Sequence, residues 1–88
     1  MRQREVRFPL PELNSFLNLD PSDPEIDSLH DCLESLRADP ERGDPIPFAP
    51  YNEYPNCKVV ECDRFLVVYT FNTETISVIE VLLRWEYE

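Results

Sequence analysis

Apolar and polar positions change rhythm several times along this chain. "REVRF", residues 4–8, alternates, which predicts a short strand ended by Pro9. "PELNSFLNL", residues 11–19, places Leu13, Phe16 and Leu17 on one side of a helix of about two turns, and "DPSDP" breaks it. Ile26, Leu29, Leu33 and Leu36 then recur at spacings of three, four and three, which lines one face of a second helix. Asp27, Asp31 and Glu34 fall largely on its other faces. Ser22 followed by Glu25 has the spacing of a capping box, and Asp23–Pro24 offers an alternative start with Pro at the first helical position. Arg37 suits the C-terminal end of the helix dipole, and Asp39–Pro40 stops the helix.

All nine prolines lie between Pro9 and Pro55. Residues 40–56, "PERGDPIPFAPYNEYPN", hold five of them and the only glycine, so regular structure is not expected there. Phe48, Tyr51 and Tyr54 are expected to anchor this loop to the core, since so short a chain needs its apolar groups inside. The last third reads as strands. "CKVVEC" (57–62) runs into a two-residue reversal at Asp63–Arg64. "FLVVYTF" (65–71) is apolar at nearly every position, as an interior strand is. After a turn at Asn72–Glu74, "TISVIEVLLRWEY" (75–87) divides by parity. Ile79, Val81, Leu83, Trp85 and Tyr87 share the face expected to meet the helices. Ile76, Val78, Glu80, Leu82, Arg84 and Glu86 share the other. The predicted architecture is one α+β domain over residues 1–88. A helical pair packs on one face of a small, mainly antiparallel sheet of about three or four strands, and the other face is partly open.

Charge narrows the possible partners. The formal net charge of the 88 residues is −10. Arg2, Arg4 and Arg7 cluster at the start, whereas residues 8–56 carry eleven acids against Arg37 and Arg42. Such a surface repels phosphate backbones at long range and suits a basic protein partner. No stretch approaches the roughly 20 apolar residues of a membrane-spanning helix. The N-terminal arginines have no apolar run behind them, so no signal peptide is read and the cytoplasm is the expected compartment. The three cysteines, Cys32, Cys57 and Cys62, are odd in number, which argues against a disulfide framework. Cys57 and Cys62 have no His nearby, so neither a metal nor a cofactor is expected. Small buried apolar groups are the reading for Cys32 and at least one of the others. His30 is expected on a helix surface, and nothing in its spacing pairs it with a cysteine nucleophile.

Four features in order resemble the RelE/ParE toxin superfamily of bacterial toxin–antitoxin pairs, over roughly residues 22–85. They are an amphipathic helix ending "LESLRADP", a P-x-x-G-x-P loop at Pro40, Gly43 and Pro45, the strand "CKVVEC", and the hairpin "FLVVYTFNTETISVIEVLLR". Val68–Tyr69 is similar to the family's "vY", and Arg84 to its closing basic residue. The resemblance implies one of two activities, ribosome-dependent messenger cleavage (RelE-like) or gyrase inhibition (ParE-like). In the first, Lys58, Arg64 and Arg84 would hold the scissile phosphate and Tyr87 would assist, because charge developing on phosphorus requires preorganised cations.

The match departs from the family where the chemistry lies. Leu66 stands where an arginine is expected before "vVY". Tyr87 follows Arg84 closely, and the chain ends at Glu88 where many members continue into a helix. Glu61, Glu80 and Glu86 add negative charge where a nuclease needs positive. The resemblance therefore implies a toxin-like protein that binds an antitoxin-like small protein, or another basic protein, and is catalytically degenerate. The alternatives are an active endoribonuclease on the ribosome and an unrelated α+β interaction protein, a homodimer through a strand edge being one form of it.

Overall fold

The computed structural model of the chain describes residues 4–46, 53, 54 and 56–83. The elements among them run in the order β1 (Glu5–Arg7), α1 (Leu10–Asn18), α2 (Asp23–Ala38), a 3-10 turn (Pro40–Arg42), β2 (Asp44–Pro45), β3 (Lys58–Cys62), β4 (Phe65–Phe71) and β5 (Thr75–Leu83). The strands form one mixed sheet in the order β1-β5-β4-β3-β2. The class is α+β as expected, but the sheet has five strands rather than three or four.

Local chemistry places the helix ends. Ser22 Oγ accepts from the Glu25 N–H at 3.3 Å while Glu25 Oε1 accepts from the Ser22 N–H at 2.9 Å, so the capping box is closed. The helix starts from Ser22, so Pro24 is its second residue and the alternative start, with Pro24 at the first helical position, is not the one used. α1 ends where Asp20 adopts φ 55°, a left-handed conformation that Asp tolerates, just before Pro21. Arg37, in the last turn of α2, donates through Nε to the Arg4 carbonyl at 2.9 Å and ties the helix to the strand that precedes α1. Arg4 Nε in turn donates to the Asn72 carbonyl at 2.7 Å.

Both helices cover one face of the sheet. Leu29 of α2 and Phe16 of α1 join Cys62, Phe65, Val67, Val78, Val81 and Leu83 in one buried cluster, and Leu36 joins Tyr69 and Ile76 in another. Phe16 meets Phe65 edge-on, with ring centroids 5.2 Å apart. Two predicted helix positions are corrected. Leu17 is 48% exposed and Ile26 is 39% exposed, because each lies at the margin of its apolar stripe, beyond the reach of the sheet. Leu13 and Leu33 pack against the core as expected.

The β4–β5 pairing revises the parity expected for the last strand. Val68 faces Glu80 but Tyr69 faces Val78, so Ile79 is an extra residue and forms a bulge. One inserted residue reverses the side on which every earlier residue of β5 lies. Val81 and Leu83 reach the helix side as predicted, whereas Ile76 and Val78 join them and Ile79 turns to the opposite face with Leu82. The bulge therefore brings apolar residues from both sequence parities to the helix side. The opposite face is also more closed than expected, since Ile46, Cys57, Val59, Leu66 and Val68 are all buried there.

β1 pairs with β5 in parallel, Glu5 to Thr75 through Arg7 to Ser77. The two hairpin turns are as predicted. Asp63 turns the chain between β3 and β4 at φ 54°, and Asn72 Oδ1 accepts from the N–H groups of Glu74 and Thr75, both at 2.8 Å, between β4 and β5.

The proline-rich segment holds more order than composition suggests. Asp44 and Pro45 pair with Val59 and Lys58 as an edge strand, where proline's missing donor costs no interior ladder bond. Gly43 precedes it. Its φ of −76° is open to any residue, so a close approach is what requires glycine. A Cβ there would lie 2.5 Å from the Tyr69 hydroxyl and 2.9 Å from the Val59 carbonyl oxygen. Tyr69 is buried, and its hydroxyl accepts from the Gly43 N–H at 3.2 Å and donates to the Pro40 carbonyl. Tyr54 does not anchor this segment, being 45% exposed, and Phe48 and Tyr51 lie outside the described residues.

Candidate functional site

Tertiary packing creates a cleft of about 380 Å³ between α2 and the end of β3. Ser28, Asp31, Cys32 and Ser35, spaced i, i+3, i+4 and i+7, form its helical wall. Glu61, Cys62 and Asp63 form the strand wall, and Arg42 of the 3-10 turn closes one end. Arg42 Nη1 donates to Ser35 Oγ, and Ser35 Oγ donates to the Cys32 carbonyl at 2.8 Å. The guanidinium is thereby held beside the turn of helix that carries Cys32.

The two thiols of this cleft interact and have unequal acidity. The hydrogen bond from Cys62 lowers Cys32 from 9.0 to about 7; burial opposes the shift and Arg42 adds to it. Cys62 is pushed up, first by that same hydrogen bond, then by burial and by the negative charge of Cys32, Asp63 and Glu25. The direction favours ionisation at the helix thiol, on the Arg42 side of the cleft, over the buried strand thiol. Cys57 stands apart, buried on the far face of the sheet, where burial raises its thiol. The small, buried role expected of cysteine holds for Cys57 and Cys62, while Cys32 is only partly buried and faces the cleft. His30 is exposed on α2, off the cleft wall.

The basic residues singled out from sequence occupy separate places. Arg64 follows Asp63 in the β3–β4 turn. Its Nε donates to Glu25 Oε2 at 2.6 Å and its Nη2 to Glu25 Oε1 and the Asp20 carbonyl, both at 3.2 Å. The guanidinium also lies 4.8 Å from the centroid of the Phe65 ring. It thus fastens the hairpin turn to the α2 capping box. Hydrogen bonding from Arg64, and then from the Ser22 backbone, holds the Glu25 carboxyl at about 2. Lys58 lies at the other end of β3, paired with Tyr69 and Pro45. At about 3.3 Å per residue, the length of β3 puts some 13 Å of strand between Lys58 and that turn. The structure does not bring Lys58 and Arg64 together around one phosphate-sized site. Arg84 and Tyr87 lie outside the described residues.

A second, smaller cleft of about 260 Å³ lies between α1 and the β5 bulge, lined by Glu12, Ser15, Ile79, Glu80 and Val81. Among the described residues no group of three or more His, Cys, Asp or Glu side chains is placed to hold a metal ion. No helix among them is long and apolar enough to cross a membrane.

Sequence reasoning missed the thiol cleft because Cys32 and Cys62 belong to different elements and no short-range spacing joins them. Ser28, Asp31, Cys32 and Ser35 recur at i, i+3, i+4 and i+7 along α2, but spacing within one element carries no sign of the strand that faces it. In comparisons with known proteins, no family model, no curated protein and no solved structure matches this chain.

Proposed function

We propose that this chain is a divergent RelE/ParE toxin-like protein that acts by binding an antitoxin-like small protein, or another basic protein partner, rather than by cutting RNA. The observation that carries this reading is the packing of α2 across the β4–β5 hairpin, with Leu29 and Leu36 seated on Phe65, Tyr69, Ile76 and Val81. That is the arrangement on which the likeness of "LESLRADP" and the hairpin pattern depends. Binding is favoured over catalysis by the engagement of Arg64 with Glu25 and by the separation of Lys58 from it. A cation already committed to a carboxylate is a poor stabiliser of charge developing on phosphorus.

The outer surface supports a basic partner. Asp23, Asp27, Asp31 and Glu34 are exposed along α2, and Leu10 and Leu17 are exposed seven residues apart on α1. Basic side chains of a partner would meet complementary charge along α2, and an apolar segment of it would find the exposed leucines of α1. The test is co-expression with the short reading frames beside the gene. A small basic product that purifies with the chain and relieves growth arrest caused by it supports the proposal. Ribosome-dependent messenger cleavage by the purified chain would overturn the binding reading in favour of the nuclease. Normal growth on expression, with no partner retained, would overturn the toxin-like reading itself.

A further inference from the structure

We propose that Cys32 and Cys62 are an oxidisable dithiol, in which Cys32 attacks a low-molecular-weight disulfide and Cys62 resolves the adduct into an intramolecular disulfide joining α2 to β3. Three features of the structure support it. The two residues line one cleft, and Cys32 packs against the buried cluster that contains Cys62. Cys32 is partly exposed at that cleft while Cys62 is buried behind it, so a reagent from solvent reaches the helix thiol first. Arg42, held by Ser35, supplies positive charge at the attacking sulfur.

The chemistry balances in two exchanges. The Cys32 thiolate attacks one sulfur of the small disulfide, forms a mixed disulfide and expels one thiolate, which takes up a proton. Cys62 then loses its proton to solvent and attacks the Cys32 sulfur, expelling the second small thiol. Two electrons pass from the protein to the small disulfide, which leaves as two thiols. Capping of Cys32 also removes the negative charge that opposes ionisation of Cys62, so the first step prepares the second. Asp31, Glu61 and Asp63 on the cleft walls, with Glu25 nearby, work against thiolate formation, and Arg42 is the cation that offsets them. Cys57 is an internal control, being buried on the far side of the sheet.

The experiment uses the full chain in glutathione buffers of increasing oxidised fraction, read by alkylation and peptide mass spectrometry. The expected result is a Cys32–Cys62 linked peptide with Cys57 still free, and a melting temperature raised by about 10 °C or more on oxidation, as follows for a loop of this length. Cys62→Ser should stop at the glutathione adduct on Cys32, and Cys32→Ser should yield neither product. In the reduced chain, iodoacetamide should modify Cys32 at pH 7 at least about tenfold faster than Cys57. The rate at Cys32 should fall in Arg42→Gln, with its pH midpoint moved up. A folded wild-type chain that remains fully reduced in oxidised glutathione, or that modifies Cys57 first, would overturn the proposal.

Discussion

Gly43→Ala tests the close approach of Gly43 to β3 and Tyr69. The new methyl would meet the Tyr69 hydroxyl at 2.5 Å, the Val59 carbonyl oxygen at 2.9 Å and Lys58 Cβ at 3.2 Å. Two of these three contacts are with β3, which also pairs with β2, so the strain cannot be relieved by one side chain moving. The hydroxyl can retreat only by giving up its bonds with the Gly43 N–H and the Pro40 carbonyl. Each such bond contributes about 1 kcal/mol net, and overpacking adds about 1–3 kcal/mol. Against this, alanine lowers the entropy of the unfolded chain, worth about 0.4–1 kcal/mol, since φ of −76° suits it. The net expectation is a loss of about 2–4.5 kcal/mol. For a chain whose whole stability is on the order of 5–10 kcal/mol, that is a large share. Urea unfolding followed by circular dichroism should show the midpoint falling by more than about 1 M, given a slope of about 1–2 kcal/mol per molar. Tyr69→Phe removes the closest atom, so Gly43→Ala should cost at least about 1 kcal/mol less in that background. A Gly43→Ala chain as stable as wild type would refute the argument, and so would equal costs in the two backgrounds.

Three further substitutions probe other links. Leu36→Ala should cost about 2–5 kcal/mol by leaving a cavity under α2, whereas Leu17→Ala, at an exposed site, should cost under about 1 kcal/mol; equal losses in thermal unfolding would contradict the assigned faces. Ser22→Ala should lose about 1 kcal/mol through the broken capping box, and an unchanged urea midpoint would mean the cap is not closed in solution. Arg64→Ala bears on acid stability. Glu25 has a folded value of about 2 against 4.5, so the unfolded chain binds more protons in that interval. The stability this carboxylate contributes is complete above about pH 4.5 and is lost as the pH falls towards 2. Removing Arg64 returns Glu25 towards its ordinary value, so the variant should unfold at higher pH than wild type. The stability difference between the two should narrow from pH 4.5 to 2, and a difference independent of pH would refute the linkage.

Local patterns in the sequence determined much of this molecule. The Ser22–Glu25 box, the stop at Asp39–Pro40, the reversal at Asp63–Arg64, the Asn72 turn and the apolar run of β4 are short-range features, each decided by chemistry within a few residues. Those signals sufficed for two helices on one side of an antiparallel hairpin. The five-strand sheet, the bulge and the cleft needed the tertiary structure. The bulge at Ile79 depends on how β4 and β5 fit when both faces of the sheet are filled, and a parity count along β5 cannot register an unpaired residue. β2 exists because Val59 and Lys58 offer a free edge to Asp44 and Pro45, residues with no strand tendency of their own. Arg64 could be read as a free cation until the fold set it against the α2 cap, and Cys32 and Cys62 became neighbours only when α2 lay across β3. Sequence resolves interactions that close over one turn of chain, whereas partners chosen by packing between elements are set by the whole fold.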